Sequence, residues 1–113
     1  MFMKNVLVIN SNKQKMEIVS FSGKRDDIYE LIGKGVERLE DIVVGNKSNK
    51  TYHILLDPQS VDGILPSNVK VGGVPIQINR NVVICSMNND MSEFVDMNEN
   101  DIPHFKKLVE FVN

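Results

Sequence analysis

Tryptophan is absent from this chain of 113 residues, and cysteine occurs once, at Cys85. A single thiol excludes an intrachain disulfide and a thiolate-rich zinc site built within one chain. The setting it implies is a reducing cytoplasm, that of the host cell if the source is viral. Aromatic residues make up only 6% of the chain against 42% hydrophobic residues in all, so Val, Ile and Leu must carry the core. Positive charge is not in excess either. A net charge of -2 and a pI near 5.6 argue against nonspecific attraction to nucleic acid, which needs a basic face, yet fall far short of an acidic DNA mimic. Long apolar runs are missing as well. Val6-Leu7-Val8-Ile9 is too short for a signal-peptide core of ~7–15 residues, and nothing approaches the ~18–20 needed to span a bilayer. Neither a nucleic-acid partner nor a membrane is expected.

What is present suits one α+β domain over residues 1–113, since chains of roughly 100–150 residues usually build a single core. Lys4 to Asn10 and Met16 to Phe21 read as an opening hairpin around the polar Ser11-Asn12-Lys13. Asp26 or Asp27 can start a helix, with Ile28, Leu31 and Ile32 on one face. The apolar series 28, 31, 32, 36, 39 fits an unbroken helix, whereas Gly33-Lys34-Gly35 favours a stop. The stop is the reading adopted, which makes Val36 to Val44 a strand. Thr51 to Leu56 is a strand whose Tyr52, Ile54 and Leu56 share a face.

Val74 to Ile78 and Val82 to Ser86 read as two strands of a hairpin closed by Asn79-Arg80-Asn81, because Asn tolerates the positive φ of tight turns. Phe94-Val95 adds a short strand. A final helix begins near Asn98 or Asn100, with Pro103 in its first turn and Ile102, Phe105, Leu108, Val109 and Val112 as its buried stripe. The expected architecture is a small, mainly antiparallel sheet with one short helix after the N-terminal hairpin and a C-terminal helix packed on the sheet.

The order of these signals resembles the family catalogued as domain of unknown function 3846, found largely in phages and conjugative elements. The resemblance is carried by the N-terminal strand, by Ile28-Tyr29-Glu30-Leu31-Ile32-Gly33 followed by Val36-Glu37, by Leu65-Pro66-Ser67-Asn68, and by Glu93-Phe94-Val95 with Asn98-Glu99-Asn100-Asp101-Ile102. It implies a context of accessory or counter-defence genes and no particular reaction.

No catalytic set is legible. Asp57 and Asp62 could serve as paired carboxylates, but Asp57-Pro58 and Asp62-Gly63 are ordinary turn dipeptides, and no third oxygen ligand follows at calcium-loop spacing. His53 within a strand and His104 near a helix start read as structural or surface residues. Cys85 lies in an apolar strand, where burial raises a thiol pKa and blunts its nucleophilicity. The glycines at 33, 35, 72 and 73 lack phosphate-loop spacing. Met87, Met91 and Met97 read as core filling or as an adaptable contact surface.

These readings lead to a noncatalytic protein without metal or cofactor. It is expected to bind through the irregular Asp57 to Gly73 segment and Arg80, with Asp57, Asn68, Gly72, Gly73 and Arg80 as contact residues. The expected partner is a host protein, blocked as a counter-defence measure. The alternative is a small nucleotide-like ligand sequestered by an oligomer, and a minor enzyme using Asp57 and Asp62 is the third reading. A homodimer is expected, because a small aliphatic domain leaves apolar surface uncovered.

Overall fold

The computed structural model describes residues 3–10, 15–33, 35–47, 49–58, 67–71, 73–78, 80–97 and 100–112. Nine strands and two helices are found among them: β1 Lys4–Asn10, β2 Lys15–Phe21, α1 Arg25–Ile32, β3 Glu40–Lys47, β4 Lys50–Leu56, β5 Ser67–Val71, β6 Val74–Ile78, β7 Val82–Asn88, β8 Phe94–Val95, α2 Asp101–Leu108 and β9 Val109–Val112. The fold is α+β and mostly antiparallel sheet. The strands form two sheets, one in the order β2-β1-β7-β4-β3 with β8 added on β7, the other in the order β6-β5-β9.

The first sheet is buried on both faces at its centre, which explains why β1, β4 and β7 look apolar almost throughout. Strand alternation sends Leu7, Ile9, Tyr52, Ile54, Leu56, Val82 and Ile84 to one side, where they meet Val69 and Val71 of β5, Ile102 and Phe105 of α2, and Val109 of β9. Val6, Val8, Leu55, Val83 and Cys85 point the other way and pack under Ile28 and Ile32 of α1. The molecule is thus layered as helix, sheet, then second sheet with α2.

Local chemistry explains both helix ends. Asp26 and Asp27 lie in the first turn of α1, where carboxylates suit the positive end of the helix dipole. Gly33 stops the helix with its N–H donating to the Tyr29 carbonyl at 3.0 Å, at φ 153 and ψ 167, a conformation open essentially to glycine alone. In α2, Lys106 and Lys107 occupy the last turn, where cations are favoured.

Four expectations are corrected. β6 and β7 do not form a hairpin with each other: β6 pairs with β5, and β7 with β1, β4 and β8. The Asn79 to Asn81 stretch is therefore a crossing between sheets, with Asn79 outside the described residues. The segment from Asp57 to Gly73 is not wholly irregular, because Ser67–Val71 pairs with both β6 and β9. Val69 and Val71 alternate into the core there. The C-terminal helix ends at Leu108, and Val109 reaches the core from β9, as β-branched and aromatic residues favour a strand able to pair with β5. Finally, β3 starts at Glu40, while Val36 and Leu39 pack against the core under α1.

Candidate functional site

The residues anticipated as contacts do not converge. Asp57 and Arg80 do meet: Arg80 Nε stands 3.1 Å from Asp57 Oδ2, with the carboxylate buried. Arg80 also lies across Gly33, where a built Cβ would come within 3.1 Å of its guanidinium. Beside it, the Asn81 backbone N–H donates to the Ile32 carbonyl at 3.2 Å and its side-chain amide to the Leu31 carbonyl at 3.1 Å. The crossing from β6 to β7 is thus fastened to the C-terminal end of α1, where exposed carbonyls attract donors and cations. Gly73 occupies the turn at the opposite end of β6 from Arg80. The Asn68 backbone is paired within β5, between Gln77 and Val112, and its side chain lies outside the described part of the structure. Gly72 and Asp62 are also outside the described residues.

A polar chain that sequence reading did not assemble runs between β3 and β4. Thr51 and His53 alternate onto the α1 face of β4, and the β3–β4 register places Asp41 opposite Leu55 on that same face. His53 Nδ1 is 2.6 Å from Asp41 Oδ1, and its Nε2 is 2.7 Å from the Thr51 hydroxyl. With the ring neutral, Nδ1–H donates to the carboxylate and Nε2 accepts from Thr51, the same order of groups that activates a hydroxyl nucleophile in hydrolases. Access is what differs. His53 is 0% exposed and Thr51 7%, and only Asp41 reaches water. The chain therefore ties the outer strand β3 to β4 and satisfies a buried imidazole. Cys85 sits directly across from His53 in the β4–β7 register. Burial first, and the Asp41 charge second, push its thiol up to about 12 against a smaller opposing pull from Arg25. It is a core residue, as its surroundings in the sequence suggested.

On the opposite face of the first sheet, a pocket of about 310 Å³ opens between β3, β4 and α2, lined by Val44, Tyr52, Asp101, His104, Phe105 and Leu108 among others. Tyr52 donates its hydroxyl to Asp101 Oδ2. Burial, this hydrogen bond and the Asp101 charge raise the Tyr52 pKa to about 12, so the phenol stays protonated. Its ring lies 4.9 Å from that of Phe105, tilted by 51°. At the pocket's edge, β3 carries a bulge between Val43 and Gly45, and Val43 and Val44 are 54% and 38% exposed. The bulge was invisible in the sequence, where Val36 to Val44 reads as one strand.

Among the described residues, no group of three or more His, Cys, Asp or Glu side chains is placed to hold a metal ion. No helix among them is long and apolar enough to cross a membrane. Comparison of the chain with protein-family models, with curated proteins and with solved structures gives no match.

Proposed function

We propose that the chain is a noncatalytic binding protein of phage or mobile-element type, a counter-defence inhibitor that works by covering the surface of a host protein in the host cytoplasm. The observation that carries this reading is the outer strand β3. It ends its sheet among the described residues, carries two adjacent exposed valines at its bulge, and borders the Tyr52–Asp101 pocket. An outer strand with exposed apolar side chains is a template for pairing with another chain. The burial of the one hydroxyl–imidazole–carboxylate chain found among the described residues also favours binding over turnover. The phage setting is supported by the resemblance in the order of sequence signals. A homodimer is part of the same proposal, with β2 at the other edge of the sheet as its pairing strand and Ile18 as an exposed apolar contact.

The test compares the wild-type chain with Val43→Lys/Val44→Lys in affinity capture from host cells, followed by measurement of the captured complex's dissociation rate. The variant should melt like the wild type and release its partner faster. Retention of the partner by the folded variant would move the surface off β3. Failure of the wild-type chain to retain any host protein would remove the inhibitor reading.

A further inference from the structure

We propose that a second site, on the α1 side of the first sheet, binds a nucleoside monophosphate or a similar small molecule with one phosphate and one flat apolar part. A cleft of about 420 Å³ lies where the start of β1, the loop before α1 and the end of β7 meet, lined by Lys4, Ser22 to Arg25, Met87 and Met91 to Phe94. That volume falls within the ~300–1,000 Å³ of ordinary small-molecule sites. Its lining is divided. Lys4, Lys24 and Arg25 put three cations on one side, against a single carboxylate from Glu93. Met87, Phe94 and Met91 form the apolar part, the first two buried at the base and Met91 exposed at a φ of 61.

Two details show how the cationic side is held. Gly23, at φ +90, has the Lys4 side chain lying across it, so near that a Cβ there would sit 2.9 Å from Lys4 Cε. The positive φ favours glycine there, and the Lys4 stem occupies the space that a side chain on the loop before α1 would take. The loop before α1 is held to the helix by the Asp27 carboxylate, which accepts hydrogen bonds from the Ser22 hydroxyl and, at 3.4 Å, from the Ser22 N–H. Lys24 and Arg25, at the start of α1, are both exposed and both line the cleft. Guanidinium and ammonium groups together suit a phosphate dianion, with Arg25 supplying paired donors. Methionine beside an aromatic edge suits a flat ring, because the thioether is polarisable and adapts its shape. This cleft is distinct from the β3 surface: Met87 points to the α1 face of the sheet, Tyr52 to the other.

The experiment is calorimetric titration of the full chain with AMP, adenosine and inorganic phosphate in parallel, with amide chemical-shift mapping of the AMP complex. AMP should bind with a Kd below about 1 mM. Adenosine and phosphate alone should each bind at least about tenfold more weakly, a loss equivalent to roughly 1.4 kcal/mol per decade. Shifts should concentrate at residues 22–25 and 91–94. Lys24→Gln/Arg25→Gln, which keeps the aliphatic stems at exposed positions, should melt unchanged and lose about tenfold or more of AMP affinity. No AMP binding at about 1 mM, equal affinity of the double variant, or phosphate binding as tightly as AMP would each overturn the proposal. So would tighter binding of a single-stranded oligonucleotide than of AMP.

Discussion

The two faces of the first sheet are closed by different means, and they solve different problems. The face toward the second sheet is filled by aliphatic and aromatic side chains, with the buried ionisable pair of Tyr52 and Asp101 lining the pocket there. The face toward α1 is closed by an eight-residue helix and the strand-free stretch after it, and it contains Asp41, His53 and Thr51 in a continuous polar chain. A second sheet can cover a broad surface with apolar groups alone. A short helix leaves β3 at its margin, and hydrogen bonds fasten there what packing does not.

That contrast is broken or sharpened most strongly by paired truncations. Ile84→Ala, at the centre of the second-sheet face, is expected to cost about 4 kcal/mol in urea unfolding through lost transfer energy and a residual cavity. His53→Ala should cost about 3 kcal/mol by a different route, stranding the Thr51 hydroxyl and a partly buried carboxylate. The double change Thr51→Val/His53→Leu separates the two routes. By removing polar partners together it should recover most of the His53→Ala loss, and an equal loss would show that shape, not hydrogen bonding, governs the α1 face.

Asp57→Ala tests the fastening between α1 and the crossing that joins the sheets. It leaves Arg80, which is 22% exposed, beside the α1 carbonyls without its carboxylate partner. The expected cost is about 2 kcal/mol, below that of a fully buried pair because water reaches the guanidinium. Hydrogen exchange should accelerate in α1 more than in β4. Uniform acceleration would mean that the pair supports the whole molecule and not that one joint.

Alkaline titration compares the same two faces by charge. Both Cys85 and Tyr52 have folded pKa values raised to about 12, from ordinary values of 9.0 and 10.0. A raised folded pKa means that the unfolded chain loses its proton first. The stability each group contributes is then fully present below its ordinary value and is lost as pH rises toward 12. Unfolding curves should weaken from about pH 9 upward, in the range of the reference thiol value. Cys85→Ala should flatten the lower part of that decline and Tyr52→Phe the upper part. An unchanged slope in Cys85→Ala would contradict the sealed position of the thiol.

The smallest effect is expected at Ser86, whose buried Oγ has no hydrogen-bond partner among the described residues. Ser86→Ala removes an unsatisfied hydroxyl, so it should leave stability unchanged or raise it by up to about 1 kcal/mol in the same urea assay. A clear loss would reveal a partner bound by that hydroxyl in solution.

Reading along the chain was enough to find the strand alternation of β4 and β7, the helix stop at Gly33 and the core position of Cys85, because each depends on neighbours within a few residues. Periodicity of two assigns side chains to faces, and a glycine in a special conformation ends a helix wherever it occurs. Periodicity does not name the neighbouring strand. For that reason Val74–Ile78 and Val82–Asn88 read as a hairpin, although they belong to different sheets. Likewise the last apolar stripe ran past Leu108 as helix, although β5 offered Val109–Val112 a partner.

The sites follow the same division. Composition and local pattern alone determined an aliphatic α+β chain with one inert thiol and no short motif for catalysis. Tertiary structure decided everything that needs two distant segments in register. It placed Asp41 on His53 twelve positions along the chain, brought Asp57 to Arg80 across β5 and β6, and set Lys4 against the loop before α1. These unions depend on strand order and register, quantities fixed by the packing of whole faces and carried by no local stretch of residues.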